Sequence, residues 1–441
     1  MTRQLDPITR LVQQCNPHEA LEPTDPRFVD FTEARGSDFL KRIERKIRRG
    51  GDSPQRLLFA GHMGIGKSSL LKQLRGRLEK KDQSDSGPFT VVWVDTAVDL
   101  DRNDLDFPDL LVLMAAKTQQ RLKEAKVPGF TAPYQRLKSL WDSFLGLLGS
   151  EVRLSSTEVD IPFGNLSMEF KNQPNARAKL RERIDSMATE LIGAFNTLLQ
   201  DANAVLRRQD QAGLVIIVDG LEKISLRMLA EHYSTHDRLF IHRSAQLASL
   251  SASIIYTVPI SLYYSPQVAV LEQAFGEFNT PLPMVKIRPS LDKPVSRDSL
   301  GMQQLWEMLK LRCRAADLKI EDAFPDPKVC DYLCEMSGGH PRHLLMLLRA
   351  AADGLDSLPF TQESIEEAVR VSANSYLREI PDEYWPLLVK FDSPSQLIPR
   401  DEKHQCMLNY LHVFEYQNGR PWYEVNPVIR TLERFQRGKS S

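Results

Sequence analysis

No stretch of this 441-residue chain has the roughly 18 consecutive apolar residues that a bilayer span requires. Its start, Met1-Thr2-Arg3-Gln4-Leu5-Asp6, lacks the apolar core of a secretory signal, so the expectation is a cytoplasmic chain with no membrane association. Charge of one sign is missing too. With 57 Lys and Arg against 58 Asp and Glu, the net charge is −1, and no whole-chain field draws the protein to nucleic acid or an anionic surface. Only local patches could. The 5 cysteines are odd in number and scattered, which excludes a disulfide framework. Cys330 and Cys334 share a helix face at i, i+4, but no second Cys or His pair stands at zinc-finger spacing around them. Buried thiols are the expected role. No internal repeat is present.

An apolar fraction of 42% is enough to build real cores, and a prior of roughly 150 residues per domain suggests two to four domains. The strongest local signal is Gly61-His62-Met63-Gly64-Ile65-Gly66-Lys67-Ser68, a full match to the phosphate-binding pattern G-x-x-x-x-G-K-[ST]. It is preceded by the apolar run Leu57-Leu58-Phe59-Ala60 and followed by helical spacing through Ser69 to Leu74. In such a loop the glycines let backbone N–H groups turn inward around phosphate oxygens. Lys67 offers a point charge to the β- and γ-phosphates, and the Ser68 hydroxyl is placed to ligate Mg²⁺. The loop residues Gly61 to Ser69 are the expected nucleotide-binding set.

Residues 1–52 read as an extended lead-in and one helix, Ser37 to Arg49. A strand, Phe89 to Val94, and a helix, Asp109 to Ala125, follow the loop helix. Residues 131–180 read as a β-hairpin insertion, and a long helical pattern runs from Arg177 to Arg208. The most apolar strand, Leu214-Val215-Ile216-Ile217-Val218, runs into Asp219-Gly220-Leu221-Glu222, the pattern of a central parallel strand with an acid at its carboxyl end. Asp219 is placed there to hold Mg²⁺ opposite Ser68. Two further strands, Ser253 to Pro259 with the polar Thr257 at its end and Met284 to Pro289, close the series. Strands alternating with helices predict an α/β fold with a doubly wound parallel sheet, where ligands bind at the carboxyl ends of strands.

From about 295 the pattern is helical, with Gly338-Gly339 ending one helix and Pro341 opening the next. Helical patterns at 382–391 and 399–411 precede two aromatic-rich strands joined by Asn418-Gly419, a hairpin signal, and a closing helix at 427–435. The expected domains are a nucleotide core at 53–292, an α-helical lid at 293–376 and a winged helix at 377–441.

Together these residues, in this order, resemble the additional-strand P-loop NTPases, and within them the bacterial STAND signalling ATPases and their AAA+ relatives. The resemblance implies binding and slow hydrolysis of ATP, with ADP and Mg²⁺ as the other ligands. AAA+ proteins usually have Glu directly after the acid; here Gly220 intervenes, and the STAND-like pattern makes Glu222 the candidate general base, a plain carboxylate at a helix start being the alternative. Lys67, Asp219 and Glu222 are thus the candidate catalytic set. Arg342 matches a lid arginine that reaches the γ-phosphate, or is a solvated charge at a helix start. Thr257 matches a polar sensor, or is a buried threonine bonded to backbone. Asn426 stands where several STAND proteins carry a histidine that touches ADP. Related rings take an arginine from a neighbour between the last two strands, but Ser261 to Met284 holds no Lys or Arg.

The function so implied is a regulatory switch in bacterial defence or signalling. Its nucleotide state would control self-assembly or engagement of a separately encoded protein effector. The alternative is a DNA-associated ATPase of the replication-initiator or transposition-regulator type. Against it, Leu377 to Ser441 is locally neutral, although Arg420, Arg434, Arg437 and Lys439 remain available for phosphates.

Overall fold

The computed structural model describes residues 5–81, 87–103, 105–127, 174–230, 233–276, 281–392 and 398–440, with 174–187 and 440 as backbone alone. The hairpin expected within 131–180 lies outside the described residues, apart from the first residues of the helix Pro174–Arg208.

Four strands form a parallel sheet: β1 (Arg56–Gly61), β2 (Phe89–Asp95), β3 (Gly213–Asp219) and β4 (Ser253–Pro259), in the order β1-β4-β3-β2. The polar-ended strand therefore lies between the loop strand and the acid strand. β3 is buried along its whole length because both faces are covered. Ile216 and Val218 face a cluster with Leu113 and Met114 of the helix Phe107–Glu124 and Leu198 of the long helix. Val215 and Ile217 face the opposite cluster, with Leu71 and Leu74 of the loop helix Lys67–Leu78 and Ile43 of the helix Phe39–Gly50. The period of two along one strand thus divides its side chains between two layers of helices. Register sets Asp95 beside Asp219 and Gly61 beside Pro259, so the strand ends line up at one edge.

The strand expected at Met284–Pro289 does not form. Leu282 makes a parallel bridge to Gly61, and its N–H donates to Ala60 O at 2.9 Å. Beyond it the chain is claimed by other parts of the molecule: Met284 N–H donates to Glu415 O at 2.9 Å, and Gly339 and Gly301 press against the carbonyls of Val285 and Lys286. Nor are the first 52 residues one helix and a lead-in. A helix at Pro7–Gln14, capped by Asp6, buries Ile8 and Leu11 against the lid, and a short turn of helix spans Thr32–Arg35.

The helical segment expected as the lid comprises Leu300–Ala315, Pro327–Met336, Pro341–Asp353 and Gln362–Glu379, with Cys313, Cys330 and Cys334 buried in its core. The C-terminal unit contains helices Trp385–Phe391 and Glu402–Asn409, a hairpin of Val413–Asn418 with Arg420–Val425, and helices Pro427–Arg430 and Glu433–Ser440. The expected helix at 399–411 starts only at Glu402, because Asp401 caps it by accepting from His404 N–H.

Candidate functional site

Gly64 and Gly66 adopt φ of +92° and +96°, which other residues rarely do, and Gly66 opens the helix that begins at Lys67. A side chain at Gly64 would also meet Arg342 at 2.9 Å. A cavity of about 260 Å³ lies over the loop, with Lys67, Ser68, Asp219, Glu222, Lys223 and Arg342 on its wall. Pro17 to Ala20 of the N-terminal segment complete it. An adjoining, mainly apolar cavity of about 90 Å³ is walled by Phe28, Phe31, Ile65, Leu70, Met308 and Leu345, with Arg27, Arg35 and Arg312 also lining it, and shares Gly64 and Arg342 with the first.

Lys67 is almost fully buried, donating to Gly61 O at 2.8 Å and His62 O at 2.9 Å, with Glu222 Oε1 at 3.7 Å. Burial depresses its ammonium pKa, and Glu222 and Asp219 partly offset that. Burial pushes the Asp219 carboxyl up to about 6, and repulsion from Glu222 adds to it, while the Ser68 hydroxyl that donates to it acts the other way. Glu222 is also buried, but Lys67 and the Thr257 hydroxyl outweigh that burial and hold it below its ordinary value. The two acids have been driven apart, one toward the protonated form and one toward the ionised form. Asp219 Oδ1 and Glu222 Oε2 are buried without a hydrogen-bond partner.

Thr257 stands behind Glu222, fully buried, and not on the cavity wall. Its Oγ1 accepts from Leu221 N–H at 3.1 Å and lies 3.3 Å from Val218 O. It thus combines a backbone-bonded threonine with a contact to the candidate base. Arg342 lies on the wall, with Nε donating to Pro17 O at 3.0 Å. Ser69 faces the N-terminal segment, accepting from Leu21 N–H at 3.0 Å, and Ile65 points into the apolar core.

His62 is turned away from the cavity. Its Nε2 accepts from Glu415 N–H at 2.9 Å, which leaves the proton on Nδ1, and this donates to Leu408 O at 3.1 Å. Burial takes its pKa down to about 3, so it is neutral at pH 7. His340 makes the matching tie from the lid: Nδ1 accepts from His343 N–H, and Nε2–H donates to Met63 O at 2.9 Å. Arg35, fully buried, donates to Ile65 O at 2.5 Å. Residue by residue the loop is bonded to the C-terminal hairpin, the lid and the N-terminal segment. His340, Arg35 and residues 17–20 carry no local sequence signal of their place at the loop, because their contacts with it are long-range.

Asn426 caps the helix Pro427–Arg430 and donates to the Tyr376 hydroxyl at 2.9 Å and Leu411 O at 3.2 Å, away from the loop. Glu415 lies where the hairpin meets the core. Tyr423 donates to Tyr264, which donates to Glu415 Oε2 at 2.6 Å, and burial lifts the carboxyl to about 7. A carboxyl whose folded pKa exceeds its unfolded value of 4.5 holds its proton longer when folded, so stability falls as pH rises from about 4.5 to 7 and then levels. Glu415→Gln should remove that fall. We expect the variant to match wild type near pH 5 and to exceed it by about 2–3 kcal/mol at pH 8 in urea unfolding. Equal midpoints at pH 8 would show that burial does not raise the Glu415 carboxyl above its unfolded value.

Among the described residues no helix is long and apolar enough to cross a membrane. No protein-family model matches this chain, and neither does any curated protein. Solved structures similar to it include the Walker-type ATPase PABY2304 of Pyrococcus abyssi, at 13% identity over 95% of this chain and 99% of that one, with a TM-score of 0.44. Cdc6p from Pyrobaculum aerophilum covers 97% of each chain at 11% identity and a TM-score of 0.40. The ORC2 protein of Aeropyrum pernix, solved as ADPNP–ADP complexes, matches 91% of this chain and 93% of its own at 12% identity and a TM-score of 0.38.

Proposed function

We propose that this chain is an ATP-binding regulatory switch that hydrolyses its nucleotide slowly. Its nucleotide state sets how the lid and the C-terminal unit sit on the core, and so whether the chain self-assembles or engages a separate protein partner. The observation that carries this reading is the set of ties on the phosphate loop: His62 to the hairpin and His340 to the lid. A ligand that reshapes the loop changes both bonds, and it shifts the equilibrium only by as much as it prefers one arrangement. The setting in bacterial defence or signalling rests on the STAND resemblance alone.

The apolar cavity suits a nucleobase and the polar one its phosphates. Mg²⁺ fits Ser68 and Asp219, since Asp219 Oδ1 is buried and unpartnered and Ser68 already touches that carboxylate. The ion, when bound, neutralises phosphate charge. Glu222 takes the proton of the attacking water, Lys67 holds the β- and γ-phosphates, and the N-terminal segment limits access of bulk water. A DNA-binding reading is weakened by the tail cations, because Arg434 pairs with Asp382, Arg437 with Glu433 and Lys439 with Asp392.

Hydrogen–deuterium exchange tests the switch, on wild type and Lys67→Ala, with no nucleotide, ADP, an ATP analogue, or duplex DNA. The analogue and ADP should give different protection at residues 408–416 and 338–343 in wild type and no difference in Lys67→Ala. Identical exchange in every nucleotide state would end the proposal, and changes only with DNA would favour the DNA-associated alternative.

A further inference from the structure

We infer that Lys223 is a catalytic residue of the hydrolysis, its ammonium supplying, from within the same chain and together with Arg342, the positive charge that meets the transferred phosphoryl group. The inference rests on the triphosphate reading above. Lys223 directly follows Glu222 in the tight turn Leu221–Lys223, which Gly220 at φ +91° allows to fold back from the end of β3. That turn puts the candidate base and a cation on the same cavity wall.

The cations on this wall differ in their direct partners. Lys67 has two carbonyls and Glu222, and Lys72 has Glu22 and Ala20 O. Among the described residues, no carboxylate lies at ion-pair distance from Lys223 or Arg342, and the Arg342 guanidinium uses only Nε, on a backbone carbonyl. Two cations without a carboxylate at ion-pair distance therefore share a wall with Asp219 and Glu222, beside a loop shaped for phosphate. His18, also on this wall, shows the same field: its imidazole is held below its ordinary range by burial and then by Arg342, Lys223 and Arg102. Cations held without a direct carboxylate partner are free to meet a multiply charged anion, and a nucleoside triphosphate supplies one.

In the reaction a water oxygen bonds to the γ-phosphorus while its proton passes to Glu222. The bond from that phosphorus to the β–γ bridging oxygen breaks, and its electron pair stays on the oxygen. The products are the nucleoside diphosphate and inorganic phosphate. Charge spreads over the γ-oxygens and builds on the bridging oxygen during this step, and a cation already in place stabilises it with no reorganisation. Because Lys223 belongs to the same chain as Lys67 and Glu222, turnover needs no second copy.

The test combines single-turnover ATP hydrolysis with the affinity for a non-hydrolysable ATP analogue, on the full chain as wild type, Lys223→Met and Lys223→Arg, across a wide range of protein concentration. Lys223→Met should lose about 10²-fold or more in rate, with analogue affinity changed by less than about threefold. Lys223→Arg should recover most of the rate, which a merely structural role would not require. Wild type should hydrolyse at the same rate per chain at every concentration. A Lys223→Met variant that keeps the wild-type rate overturns the assignment, as does a wild-type rate per chain that rises with concentration. A wild type that retains no ATP analogue overturns the triphosphate reading itself, which separates the two failures.

Discussion

Glu222→Gln is expected to lower the ATP turnover rate by about 10³-fold while leaving ATP affinity within about threefold of wild type. The amide matches the carboxylate in volume, so the buried position is preserved, but it cannot take a proton. Glu222 is suited to that task at neutral pH, since Lys67 and Thr257 keep it ionised despite burial, and its Oε2 has no protein partner. Lys67 would lose one neighbour of three and still be held by Gly61 O and His62 O, so binding persists. Steady-state hydrolysis and fluorescent-nucleotide binding on the same preparation decide it. A variant that turns over within threefold of wild type would reduce Glu222 to a structural partner of Lys67, the plain-carboxylate alternative raised by its position after β3.

Gly339→Ala should unfold the chain more readily by more than about 3 kcal/mol in urea titration. Gly339 has φ +76°, and a Cβ there would lie 1.9 Å from Val285 O, a backbone atom that cannot swing aside. Three parts of the molecule meet at this point. The segment after Leu282 runs under Gly339, Tyr416 of the hairpin donates to Gly338 O at 2.5 Å, and the next residue, His340, holds Met63 of the phosphate loop. Relief of the clash would separate the lid from the core and break the His340 tie. Gly419→Ala is the control: its φ is also positive, at +72°, but nothing lies within 4 Å of the added methyl. It should cost only the backbone strain, about 1–2 kcal/mol. If the two substitutions cost the same, the close approach is not what demands glycine at 339.

The correct expectations were those in which neighbours in sequence are neighbours in space. Leu57 to Ser68 is a strand, loop and helix within one short stretch, and its glycines, lysine and serine have meaning from their spacing alone. The apolar run into Asp219 and the hairpin around Asn418-Gly419 are local in the same way, as alternation and turn chemistry act over a few residues. The expectation of a strand at Met284–Pro289 was local too, and it was misleading. The apolar pattern was present, but the backbone partners came from the hairpin and from Gly301 and Gly339.

The sequence by itself determined the parallel α/β core, the phosphate loop and the order of the helical and hairpin parts behind it, because hydrophobic period, glycine placement and capping are written residue by residue. Only the tertiary structure decided what surrounds the loop. The bonds from His62 to Leu408 and Glu415 span 346 and 353 residues, and that from His340 to Met63 spans 277. The pairing of Lys223 with Arg342 on one wall is of the same kind. No periodicity encodes such contacts. They depend on how separately formed units pack, and their packing buries the histidines as neutral donors and acceptors and sets Lys223 and Arg342 on one cavity wall.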